Sequence, residues 1–149
     1  MLNKELRFIE EHLLVIDKED LNVSKANIGW HIDHSLKVIN SVSEVLKNSD
    51  PYQYKKKFNL LRIFIFILGY FPRGKAKSPK KVLPPEIILR EDIEKQIAVA
   101  VSNLKGIDAI EENQYFKHPV FNQLNKKQTI RFLKLHTNHH LKIVKDILK

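Results

Sequence analysis

Residues 125–149 read N-K-K-Q-T-I-R-F-L-K-L-H-T-N-H-H-L-K-I-V-K-D-I-L-K, and the spacing within this stretch decides how the rest of the chain is read. At about 100° per residue, Ile130, Leu133, Ile143, Val144, Ile147 and Leu148 share one arc of a helix, while Lys134, Lys142 and Lys145 fall outside it. Asn125 can cap the first turn while Gln128 reaches back in a capping box. His136 and His140 lie inside the apolar arc and are four residues apart, so their imidazoles stack on one face at a separation suited to one ion. His139 sits at the rim, where it can support a ligand or simply face solvent.

Working back from this helix, four more helical stretches are expected. Leu2, Leu6, Ile9, Leu13 and Ile16 mark a first amphipathic helix over Leu2 to Ile16. A second starts near Asn22 or Ser24 and runs to about Asn48, where Asp50-Pro51 ends it. A third, from about Tyr54 to Phe71, is apolar around most of its circumference and should be covered on several sides or lie at an interface. Its aromatic stripe, Phe58, Phe64, Phe66, Tyr70 and Phe71, reads as core or dimer surface. Residues 72–85 form a basic, proline-rich crossover loop long enough to join parallel neighbours. A fourth helix covers roughly Ile87 to Ile110, and residues 113–124, with His118-Pro119, are irregular. No repeat or internal boundary appears, so residues 1–149 are read as a single all-α helical-bundle domain.

Composition removes several functions. The chain has no cysteine, which excludes disulfide scaffolds, zinc fingers, thiolate metal sites and cysteine nucleophiles, and leaves histidine and carboxylate as side-chain metal ligands. Met1 to Glu11 carries Lys4, Glu5, Arg7, Glu10 and Glu11, unlike a signal peptide, and the greasiest segment, Phe58 to Phe71, is shorter than the roughly 20 apolar residues of a membrane span. A cytoplasmic protein without a membrane partner is the expectation. The net charge of +9 attracts anions but assigns no partner by itself.

The second helix supplies the remaining histidines. With Ile39 as the reference direction, the arc of Ile28, Ile32, Val42 and Leu46 admits His31 near one edge; His34 lies farther round, Trp30 points away, and Asp33 points outward and is not cast as a general base. A single histidine on an apolar face is more often a core residue bonded to a neighbour. Three converging imidazoles, His31, His136 and His140, would leave several nitrogens to satisfy, each unmet group costing on the order of 1 to 3 kcal/mol, and one ion would satisfy three of them. Three neutral ligands with no fourth describe an open site that keeps positions for water or substrate. His118 is weighed as a structural turn whose ring could approach that open side, and the lysines at 75, 77, 80 and 81 as a solvated loop that could draw an anionic substrate.

The stretches V-S-K-A-N-I-G-W-H-I-D-H-S and H-T-N-H-H resemble the two metal-binding helices of the DinB-like metalloenzymes, which include YfiT-type proteins and bacillithiol-dependent transferases. The H-P-V-F-N-Q-L and R-F-L-K-L-H-T-N-H-H-L runs are similar to a bacterial subfamily of unknown function within that superfamily. The resemblance covers nearly the whole chain. It implies an up-down-down-up four-helix bundle, with an extra apolar helix and a long basic crossover, and a triad holding a divalent transition metal such as nickel or zinc. It places the first ligand on His31, with His34 in reserve, and the pair on His136 and His140; the residue before the last ligand, usually apolar or aromatic, is here His139.

The expected function is a metal-dependent hydrolase or thiol S-transferase acting on a small molecule, anionic or a thiol. A metal-binding or stress-response module without turnover is the alternative. A nonspecific nucleic-acid binder ranks third, because no helix-turn-helix or aromatic RNA-binding motif accompanies the charge. A homodimer is left open by the apolar third helix.

Overall fold

The computed structural model describes residues 1–74 and 79–149. Among them the chain forms α1 (Asn3–Glu11), α2 (Ile28–Lys47), α3 (Leu60–Leu68), α4 (Arg90–Asp108), β1 (Tyr115–His118), β2 (Asn122–Asn125) and α5 (Lys126–Ile147), with short 3₁₀ turns at Leu13–Val15, Pro51–Gln53 and Lys80–Val82. The protein is therefore mostly helical, but not purely α. Residues 115–125, expected to be irregular, pair as an antiparallel hairpin in the register Tyr115 to Asn125 and His118 to Asn122. Four-residue strands are too short for period-two alternation to stand out from a loop.

Caps explain where the helices differ from the expected bounds. Asn27, rather than Asn22 or Ser24, starts α2 by accepting from the Trp30 amide. Asn59 does the same for α3 through the Arg62 amide, which excludes Tyr54 to Phe58 from the helix, and Gly69 closes it in the left-handed region at φ 76°. The first helix stops at Glu11, where His12 Nδ1 donates to the Phe8 carbonyl, and Leu13 and Ile16 reach the core from the turn that follows. The capping box of α5 forms as expected from Asn125 and Gln128.

The core is organised around α2, which packs on both α4 and α5. Ile28, Ile32, Leu36, Ile39 and Leu46 are fully buried along it and meet Ile93, Ile107, Leu133 and Val144 in one cluster. The start of α2 is pressed against the end of the first segment: the Gly29 amide bonds the Ile16 carbonyl at 2.7 Å, and a side chain at Gly29 would come within 3.1 Å of that oxygen. The third helix is pinned on one side only. Arg62 is buried, donating to the carbonyls of Phe121 and Lys57, and Ile65 is buried beside it, but Phe58, Leu60, Phe64, Ile67 and Tyr70 remain exposed. Among the described residues this helix is thus not covered on several sides. No helix among the described residues is long and apolar enough to cross a membrane.

Lys75 and Lys77 lie outside the described residues, whereas Lys80 and Lys81 are exposed. The described parts of the crossover are tied down at both ends. Arg73 pairs with Asp146 at 2.6 Å, and the carbonyls of Phe71, Val82 and Leu83 accept from His139, His34 and Lys37.

Candidate metal centre

Three imidazoles meet between α2 and α5. The ligand atoms of His34, His136 and His140 lie within 4.8 Å of one another, a group that could hold a metal ion. Metal–imidazole bonds of about 2.0–2.1 Å put this group within side-chain adjustment of a shared ion. His136 and His140 are joined on α5 as expected, their ring centroids 4.7 Å apart. The position on α2 differs. His34, held in reserve by the sequence reading, stands in the group, while His31 stands behind it.

The reason lies in the packing of α2. A helical wheel presumes one inward face, but in the first half of α2 residues 31 to 36 are all buried, because α4, α5 and the Lys80–Val82 turn close around them. The inner side at this level is wherever α5 lies. His34 faces it, with its ring centroid 4.7 Å from His140 and 5.1 Å from His136.

Each nitrogen can be followed. His34 Nδ1 donates to the Val82 carbonyl at 2.8 Å, which assigns the ring's lone pair to Nε2. His140 Nδ1 and His31 Nδ1 are 3.0 Å apart, and His31 Nε2 is 2.9 Å from Ser24 Oγ. A proton on His140 Nδ1, accepted by His31, leaves the lone pair of His140 on Nε2; His31 then donates its Nε2–H to the serine. With an ion on the other three rings, His31 would stand behind His140 as a backing partner, the arrangement that fixes tautomer and ring direction at metal sites. His136 Nδ1 is sealed from solvent and has no hydrogen-bond partner among the described residues. A buried nitrogen left unpaired costs on the order of 1 to 3 kcal/mol, and a bound cation would remove that cost. The donor set and this orphaned nitrogen both fit a metal ion.

All these rings are held neutral. Burial pushes His140 and His136 far down, and neighbouring imidazoles add to the effect. Burial also lowers His34, against the partial support of its bond to Val82 and of the Asp33 charge. His31 falls to about 4, chiefly through burial, then through the charges of His34, His139 and Arg73. Neutral rings keep lone pairs available near pH 7, the form that a metal requires.

Two residues set aside by the sequence reading belong to the surroundings. Trp30, expected to point away, stacks on His34 at 5.0 Å and 23° and sits edge-on to His31 at 5.3 Å. Its position four residues before His34 was the available signal. Asp33, expected to face outward, is buried; its Oδ1 accepts from Gln96 at 2.7 Å and its Oδ2 pairs with Lys37 at 2.7 Å. One oxygen is thus engaged by α4 and the other by the next turn of α2, so it is no free base. Phe71 and Phe132 complete an aromatic wall against His136.

The outer histidines have structural duties. His139 donates from Nδ1 to the Phe71 carbonyl at 3.0 Å and thereby anchors the crossover, with its ring edge-on to His140. His118 Nδ1 accepts from the amides of Val120 and Phe121, both at 3.1 Å, which ties the hairpin turn as the sequence reading expected. Its ring packs on Phe121 and Phe132, one aromatic layer from His136, and burial holds it at about 4.

No protein-family model matches this chain, and the comparisons with curated proteins and with solved structures found no match. The functional reading therefore stands on the residues and their geometry.

Proposed function

We propose that the protein is a divalent-metal-dependent enzyme of the DinB-like kind, in which His34, His136 and His140 hold a transition-metal ion for hydrolysis or thiol transfer on a small substrate. The observation that carries this reading is the convergence of three neutral imidazoles from two helices, with no carboxylate in the group. Such a donor set suits zinc, nickel, copper or iron and leaves the ion's charge undiminished. When bound, the ion would lower the pKa of a water or low-molecular-weight thiol at its open position.

The chain's own residues do the rest. The Val82 carbonyl and His31 aim two of the ligands, and Ser24 anchors His31. Trp30, Phe71 and Phe132 restrict water around the rings. A DinB-type bundle would be built from α1, α2, α4 and α5, with α3 as the additional apolar helix. The resemblance of the two histidine segments supports this assignment, as does the seating of α2 on both α4 and α5.

The test is metal content by mass spectrometry on protein purified without an affinity resin. About one equivalent of a transition metal is expected in the wild type and almost none in His136→Ala. Stoichiometric metal retained by that variant would overturn the site. A screen of thiol transfer and ester or amide hydrolysis on the metal-loaded protein then separates enzyme from metal-binding module.

A further inference from the structure

We propose that the outer face of α3 is a docking surface for anionic lipid bilayers, on which the protein lies without spanning. The outward residues Leu60, Leu61, Phe64, Ile67 and Leu68 follow at i, i+1, i+4, i+7 and i+8, one continuous stripe of the helix. Leu60 is 71% exposed, Phe64 59% and Ile67 79%, with Phe58 and Tyr70 exposed at the two ends. Scattered apolar side chains are normal on a protein surface, but a contiguous set of this size marks a partner.

The face is built firmly. On the inner side, Arg62 ties the helix to the Phe121 and Lys57 carbonyls, and Ile65 is buried. Phe66 packs on Phe121 beneath the Arg131 guanidinium, which also donates to the Phe66 carbonyl. The stripe is therefore held outward by a fixed underside.

Charge selects the occupant. Residues 51–85 contain nine of the chain's 26 Lys and Arg and no Asp or Glu; the 17 cations elsewhere match the 17 carboxylates, so the whole net charge of +9 resides in the segment that carries this face. Lys55, Lys56 and Lys57 are exposed just before the helix, and Arg73, Lys80 and Lys81 are exposed after it. A second copy seated on the same face would set cationic ends against cationic ends in either orientation. An anionic bilayer accepts both features, with apolar side chains entering the acyl boundary and lysines meeting the headgroups. A membrane was excluded by the sequence reading on span length, a criterion that does not apply to a helix lying in the interface.

The experiment is co-sedimentation of the purified full chain with vesicles of phosphatidylcholine alone and of phosphatidylcholine with an equal part of phosphatidylglycerol. Binding to the mixed vesicles is expected, weakened by added salt, with little binding to phosphatidylcholine. The exposed double substitution Phe64→Ser with Ile67→Ser should lower it at least about tenfold while leaving the circular dichroism spectrum unchanged. The triple substitution of Lys55, Lys56 and Lys57 to Glu should lower it also, through charge alone. Failure of the wild type to bind mixed vesicles, or unchanged binding by the double variant, would overturn the proposal. Sedimentation velocity provides a further check: a dimer dissociated by the double variant, without vesicle binding, would assign the face to a second copy. None of these measurements depends on the metal centre.

Discussion

The seam between α2 and α5 and the face of α3 are both written in helical periodicity, yet they resolve in opposite ways. On the seam, apolar positions and histidines are enclosed from several sides, and the rings of His34, His31 and His139 are bonded to Val82, Ser24 and Phe71, while His136 Nδ1 is a buried donor atom suited to an ion. On α3, a sequence more apolar than either of those helices leaves half its circumference open. Hydrophobicity does not guarantee intramolecular burial. What decides is whether neighbours reach that face, and among the described residues only one side of α3 is reached.

The contrast is sharpest in stability. Ile39→Ala, on the buried side of α2, is expected to cost about 2–5 kcal/mol in urea unfolding, since it removes a fully enclosed side chain. A smaller loss would mean that α2 is less central than its contacts indicate. Acid should come next. His31 and His118 are both held near about 4, against an ordinary value of 6.5, so the unfolded chain takes up protons first as the pH falls. Metal-free protein should keep its full stability above about pH 6.5 and lose it progressively toward pH 4, followed by thermal melts across that range; a flat profile would mean that these rings are hydrated.

His31→Ala distinguishes a backing residue from a ligand. It should retain metal but with affinity about 10–100-fold weaker, measured by competition with a chelator, whereas complete loss would return His31 to the ligand set. Replacing Asn125 with Ala, which removes the capping box, should cost about 1 kcal/mol in the same urea assay. Smallest of all, Ile67→Ser on the open face of α3 should change stability by no more than about 0.5 kcal/mol. A destabilisation like that of Ile39→Ala would show that the face is covered in solution.

Much of this was legible in advance. Long, periodic α2, α4 and α5 were visible because many turns repeat the same apolar offset, and the His136–His140 pair followed from a spacing internal to one helix. The start of α3 was misplaced because Tyr54, Phe58 and Leu61 keep a helical spacing across the three lysines, although the backbone begins the helix only after Asn59. The hairpin escaped because its strands are held by ladder bonds and by His118 rather than by any pattern of their own. His31 was placed ahead of His34 on the wheel of α2 alone, whereas the facing of each depends on what surrounds that helix.

From the sequence alone came what is periodic or local: helical content, the caps at Asn125 and Gln128, the absence of cysteine, and two histidines on one face of the last helix. Tertiary structure decided everything that requires a second element. It grouped His34 rather than His31 with His136 and His140, buried Asp33 against α4, turned Trp30 onto the cluster and left α3 open. The physical reason is that a helix specifies the angles between its own side chains, while the direction called inward is defined by the neighbours that exclude water from it.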